Sequence, residues 1–193
     1  TKIWRDIAGD GHLYPDKNLH NIEIEYVKKE NFVRYHDNIR HPFDYLKISH
    51  KTRINFRERL NNGNWTVVFA MRYDPRGHHR GRIIQGHHNT IIGFHGSAAG
   101  VVHTNRWVGN GHGPKVRERD SWILMIASER RFWRRSNLHG WGYSTGGHHI
   151  HNDLLHINAG RYPHEKSDFH VGEILVYNRN LKDFWSGIQI IPN

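Results

Sequence analysis

The chain has 193 residues, 36% apolar and 12% aromatic, with seven Trp, no Cys and 19 His. That aromatic content excludes a disordered polymer despite a mean hydropathy of −0.79, and the lack of Cys excludes disulfides and thiolate metal sites. A net charge of +10 and a pI near 10.0 predict attraction to polyanions: nucleic acid, sulfated glycan, acidic protein or a negatively charged mineral surface.

No run approaches the roughly 20 apolar residues of a membrane helix, so no membrane span is expected. The chain begins at Thr1 without a signal-peptide pattern, and a mature secreted protein is the expectation. Asn64-Trp65-Thr66 is a glycosylation sequon, which makes Asn64 a glycosylation candidate and agrees with secretion. Solvated imidazoles gain charge as pH falls through about 6.5, so the histidines add to the basic character in mild acid.

Residues 1–20 read as loop, broken by Gly9, Gly11 and Pro15. Ile22, Ile24 and Tyr26 alternate with Glu23 and Glu25, the period of a half-buried strand. Residues 31–44 read as polar loop with a short strand near Phe32-Val33; 45–48 and 52–56 are short strands. A turn at 61–64 precedes a strong strand at 65–73, with Trp65, Val67, Phe69 and Met71 on one face. A loop at 74–81 carries His78-His79.

Short strands are expected at 82–85, 90–94 and 100–104, then a Gly-rich loop at 109–114. Residues 121–128 alternate as another strand, continued by the Arg-rich 130–135. Residues 137–147 read as a Gly/aromatic loop, 154–158 as a strand and 160–166 as loop. The strongest strand signal lies at 167–181, with Phe169, Val171, Leu175 and Tyr177 on one face and Ile174 and Val176 on the other. A strand apolar on both faces belongs in the interior of a sheet. A helical turn at 181–188 and a terminal strand at 188–191 complete the reading. Many short strands with turns every ~8–12 residues predict one all-β domain over 1–193, an antiparallel β-sandwich.

Ile3-Trp4-Arg5-Asp6-Ile7-Ala8-Gly9, Trp65-Thr66-Val67-Val68-Phe69-Ala70 and Arg82-Ile83-Ile84-Gln85-Gly86 with Ile91-Ile92-Gly93 together resemble stretches of the concanavalin A-like lectin/glucanase superfamily, in its LamG-like or pentraxin-like branch. The pair Leu155-His156-Ile157-Asn158-Ala159-Gly160 and Gly172-Glu173-Ile174-Leu175-Val176-Tyr177-Asn178-Arg179-Asn180-Leu181 is similar to that family's closing strands. The resemblance implies a jelly roll. Because this fold carries lectins, glucanases, pentraxins and matrix modules, it does not fix a function.

Retaining glucanase chemistry needs paired carboxylates roughly 5 Å apart. The chain lacks the Glu-x-Asp-x-Glu strand that supplies them: Glu23 and Glu25 have no third acid, and Glu118-Arg119-Asp120 sits beside arginines. Catalysis is therefore not expected. Calcium is not expected either, since Asp10, Asp153 and Asp168 stand alone in sequence.

The histidines are the metal candidates. His148, His149 and His151 include a His-x-His pair, whose members face the same way on a strand; His139 or His156 would supply a third ligand. His78, His79, His87 and His88 are further candidates in loops. Zn, Cu or Ni would suit imidazole ligands, although chance pairing is frequent in a chain this rich in His.

Arg130, Arg131, Arg134 and Arg135 flank Phe132-Trp133, a pattern that suits polyanions or sulfated sugars; the plainer reading is a strand end whose guanidinium groups reach water. Trp107, Trp141 and Tyr143 lie in or beside Gly-rich loops, where aromatics stack on sugar rings or pack across the loop base. No nucleic-acid-binding motif is present, so that partner is not expected. The sequence thus leads to a non-catalytic, secreted, His-rich basic module of an extracellular matrix, filament or biomineral assembly. It would self-associate and engage polyanions, silica included. A lectin-like glycan binder and a transition-metal-binding protein are the alternatives.

Overall fold

The computed structural model describes residues 24–33, 40–60, 64–108, 121–128, 131–136, 142–145, 153–159, 162, 164–177 and 179–181. Its strands are β1 (Ile24–Val33), β2 (Arg40–Ile48), β3 (Ile54–Leu60), β4 (Thr66–Tyr73), β5 (Ile84–Gly86), β6 (Ile91–His95) and β7 (Ala98–Thr104). They continue as β8 (Arg106–Trp107), β9 (Ile123–Ser128), β10 (Arg131–Ser136), β11 (Gly142–Thr145), β12 (Asp153–Ile157) and β13 (Phe169–Tyr177).

Two antiparallel sheets form. One runs β1-β2-β13-β4-β9-β10-β11 and the other β3-β12-β5-β6-β7-β8. Among the described residues there is no helix.

The core lies between the sheets because β4 alternates as its sequence demands. Val67, Phe69, Met71 and Tyr73 turn inward from the seven-stranded sheet, while Ile84, Ile92, Phe94 and Val102 turn inward from the other. Phe94 makes an edge contact with Tyr73, ring centroids 4.9 Å apart, and lies 6.0 Å from Phe69. Burial pushes the Tyr73 hydroxyl well above the usual tyrosine range, and it donates to the Gly81 carbonyl at 2.6 Å.

Strand β13 is interior, between β2 and β4, as its two apolar faces required. Its side chains are not distributed as simple alternation predicts. A β-bulge between Val171 and Glu173 inserts one residue against β4, so Ile174 pairs with Phe69 and Val176 with Val67. The bulge reverses the facing of everything after it. Phe169, Val171, Ile174 and Val176 meet the core, and Leu175 and Tyr177 turn to the other side.

Two stretches expected as loop carry strand. The first is 31–44: the short strand expected near Phe32-Val33 is the end of β1, but β2 starts already at Arg40, with Asn31 opposite Pro42. Pro42 is tolerated because β13 pairs with β2 only at Leu46, Lys47 and Ile48, leaving position 42 with no ladder bond on that side. The second is 137–147, where β11 adds an outer strand to β10 despite its glycine and small polar residues. The readings at 1–20, 181–188 and 188–191 fall wholly or almost wholly outside the described residues.

Asp153 opens β12, fully buried. It accepts hydrogen bonds from His87 N (2.6 Å), His88 N (3.2 Å) and Thr90 Oγ1 (2.5 Å), and so shapes the β5–β6 turn. Asp153→Ala removes a carboxylate acceptor from three donors at once, and is expected to cost about 3 kcal/mol in urea unfolding. A loss below about 1 kcal/mol would show that water replaces the carboxylate.

Candidate functional site

A buried polar knot fixes the loops at one end of the sandwich. Asn158, fully buried with φ 53°, donates from Nδ2 to Ser167 O (2.9 Å) and accepts from Ser167 N at Oδ1 (2.9 Å). Its backbone N donates to Ile83 O (3.0 Å), and Ser167 Oγ donates to Arg82 O (3.0 Å). These bonds join the ends of β12 and β13 to the segment before β5. Burial makes each costly to lose, so the knot is a rigid base for the next residue, Asp168.

Asp168 collects three loops. Its backbone N donates to His79 O and its carbonyl accepts from Asp74 N, both at 2.9 Å. Its carboxylate accepts from His50 N at 2.8 Å and His79 N at 3.3 Å, and His50 Nδ1 lies 2.8 Å from Oδ1. Gly77 permits this approach, since a Cβ there would come within 2.6 Å of Asp168 Cβ. The His50 and His79 rings stack with centroids 3.6 Å apart at 30°. Burial alone would raise the Asp168 carboxyl pKa, but the His50 and His79 hydrogen bonds and the His50 charge outweigh it and hold it below the usual value. His50, His79 and Asp168 each present one ligand atom, all within 4.8 Å of one another, a spacing among the described residues that could hold a metal ion.

Beside this cluster, on the outer face of the seven-stranded sheet, His170 is buried at 3% exposure. Its ring stacks on Tyr45 with centroids 4.8 Å apart. The Arg72 Nε–H donates to its Nδ1 at 2.9 Å, and its Nε2 stands 3.5 Å from Asp74 Oδ1. The guanidinium carbon of Arg72 lies 5.6 Å from the Tyr45 ring centre and 5.0 Å from that of Trp122. Burial first, then the Arg72 and Lys47 charges, lower the His170 pKa to about 4 against the pull of Asp74.

A second polar group is built on the six-stranded sheet. Arg82, 4% exposed, donates from Nε to Glu165 and from Nη1 to Asn89 Oδ1 (2.6 Å), and its guanidinium lies 4.2 Å from the Tyr162 ring centre. Glu165 also lies 3.7 Å from His95 Nε2. Trp107 is half-buried, its ring touching His95 (5.6 Å) and His103 (4.9 Å, edge-on). Burial lowers the His103 pKa.

Among the sequence candidates, His79 enters the three-residue cluster, while its neighbour His78 is exposed. His87 and His88 occupy the turn held by Asp153, with the His87 ring 5.7 Å from that of His156. Asn64 is exposed ahead of β4. Arg131, Arg134 and Arg135 lie on β10, and Tyr143 on β11 pairs with Trp133. His139, Arg130, Trp141, His148, His149 and His151 lie outside the described residues.

Known protein families, curated proteins and solved structures were all compared with the chain, and none matches. The site must therefore be read from its own chemistry. Sequence reasoning missed His50 as a partner and treated Asp168 as a lone acid. Positions 50, 79 and 168 are brought together only by the sheet order, and no local spacing marks them.

Proposed function

We propose that this protein is a non-catalytic, secreted, histidine-rich basic binding module that engages polyanions in an extracellular matrix, filament or mineral assembly. One observation carries the reading. Among the residues whose side-chain exposure is described, the exposed ionisable ones are Lys51, Arg53, Arg76, Arg106 and Arg179 and the imidazoles of His78, His79, His87, His88 and His164, against the carboxylate of Glu173. The other acids with described surroundings, Asp74, Asp153, Glu165 and Asp168, are engaged by donors of the fold. Over these residues the positive charge is therefore displayed rather than neutralised at the surface.

The display is densest where the loops at 49–53, 74–80 and 164–168 meet. Burial and the neighbouring Arg53 charge both lower the Lys166 pKa there, a sign of cations crowded together. Such a surface attracts sulfated, phosphorylated or silicate polymers with little demand on sequence or shape.

The jelly roll of concanavalin A type is part of the same proposal. The interleaving of late strands with early ones supports it, β13 between β2 and β4 and β12 between β3 and β5. Self-association and secretion belong to the proposal as expectations drawn from composition.

The test is binding to heparin and to colloidal silica across ionic strength. Binding is expected at low salt and lost near 1 M, where the screening length falls to about 3 Å. The double substitution Arg53→Glu with Arg76→Glu is expected to weaken heparin binding about tenfold, roughly 1.4 kcal/mol. Salt-independent binding, or a double variant that binds like the parent, would remove the electrostatic reading. Sedimentation at high protein concentration tests self-association, and a strictly monomeric chain would count against an assembly role.

A further inference from the structure

We propose that His50, His79 and Asp168 form a specific site for a divalent transition-metal ion of the Cu(II) or Ni(II) type, set within the basic surface that attracts polyanions but distinct from it in chemistry. Two imidazoles and one carboxylate are the donor set such ions favour. Their ligand atoms lie within 4.8 Å of one another although the residues come from three separate loops.

The site is held in place before any ion arrives. The backbone of Asp168 is bonded to both His79 and Asp74, and its carboxylate is bonded by the backbone of His50 and of His79. An ion would therefore meet a fixed carboxylate on a fixed backbone, with only the His79 ring left to turn, which lowers the ordering cost of binding. It is also accessible. The His50 and Asp168 side chains are 29% and 16% exposed and His79 is exposed, leaving room for water at the remaining positions.

The donor types set the class of metal, since mixed N,O donors suit tetragonal Cu(II) and Ni(II). His50 Nδ1 and Asp168 Oδ1 are 2.8 Å apart. Two ligands bound at 2.0–2.1 Å are separated by about 2.9 Å along a square or octahedral edge and by about 3.4 Å along a tetrahedral one. The observed separation, set in the ion-free site by a hydrogen bond, reaches the first with less movement than the second. The ion takes the place of the proton shared by these two atoms, which leaves to solvent. The His79 ring lies over that of His50 with the planes tilted by 30°, so the exposed His79 ring turns to complete the site.

The surroundings give the site a signature opposite to that of polyanion binding. Arg53 and Arg76 lie on the same loops and repel a dication. Added salt screens that repulsion, so metal affinity should rise with salt while polyanion affinity falls.

The experiment is calorimetric titration of the whole chain with Cu(II) and Ni(II), with Zn(II) for comparison, at low and moderate chloride-free salt. The parent is expected to show one tight equivalent, with Ni(II) or Cu(II) preferred over Zn(II). His79→Ala is expected to weaken that equivalent at least tenfold and His78→Ala to leave it unchanged; both positions are exposed, so neither variant threatens folding. Asp168→Asn is expected to act like His79→Ala, and NMR should show the His79 ring resonances moving with the first equivalent. If His78→Ala and His79→Ala weaken binding equally, or neither does, the ions are held by scattered surface imidazoles and the proposal is overturned. Heparin binding measured on the same variants separates this outcome from a failure of the polyanion reading.

Discussion

Gly93→Ala is expected to destabilise the protein by roughly 2–5 kcal/mol, one of the largest effects of any single-atom addition to this chain. Gly93 sits in β6 with φ 92°, a backbone state in which an alanine is strained by about 1–2 kcal/mol. A Cβ there would also run into the end of the Phe69 ring, which the opposite sheet presses onto this position. Phe69 is 1% exposed, so it has no free direction in which to retreat, and overpacking of this kind adds about 1–3 kcal/mol.

The two contributions can be separated. Phe69→Leu in the Gly93→Ala background should recover part of the steric loss but none of the backbone strain. The coupling between the two sites should then be about 1 kcal/mol or more in urea-unfolding cycles. A Gly93→Ala variant within 0.5 kcal/mol of the parent would mean that the sheets do not meet at this point.

The second large effect is on acid stability. His170 carries a pKa of about 4 in the folded state against 6.5 for an ordinary imidazole. Between these values the unfolded chain binds the proton and the folded one does not. Stability is therefore complete above about 6.5, declines as pH falls through the window, and is reduced by up to about 3 kcal/mol below 4. The cause is geometric. Protonation would bury a charge away from water, set it beside the Arg72 cation and end the bond from Arg72 Nε to Nδ1.

His103 and His156, whose pKa values burial also lowers, act in the same direction. Asp168, with its pKa depressed, adds a further loss only below the normal carboxylate range. Melting temperature measured from pH 7 to 4 checks this, and His170→Gln should flatten the slope. A parent whose melting temperature is constant over the window would refute the assignment of His170 as neutral and buried.

The histidines thus divide into two groups that acid affects in opposite ways. Solvated imidazoles in general gain charge in mild acid, whereas protonation of His170, His156 and His103 works against the fold. Polyanion binding should strengthen with mild acid and then fail when the sandwich does.

Composition and periodicity by themselves determined that this is an all-β chain with a large net positive charge. They also placed β4, β6, β7, β9 and β13, because apolar alternation is a local signal and a sheet that buries one face must obey it. They marked β13 as interior, since both its faces are apolar. They did not reveal the bulge after Val171, which depends on how β13 meets β4 and decides which of Leu175 and Ile174 enters the core. Strand β11 was hidden for a related reason: glycine and small polar residues give no periodic signal, and only pairing with β10 makes them a strand.

The same division holds for the site at the end of β13. Sequence showed a strand preceded by a single aspartate, and a His-His pair in a loop far upstream. Tertiary structure put Asp168 between His50 and His79 and made His170 a buried, neutral side chain two residues later. Charge and strand period are properties of residues and their near neighbours, so a sequence states them. Which imidazole faces water, which faces a carboxylate and which is sealed beneath a tyrosine depends on contacts between positions about 90 to 120 residues apart, and those exist only once the sheets have formed.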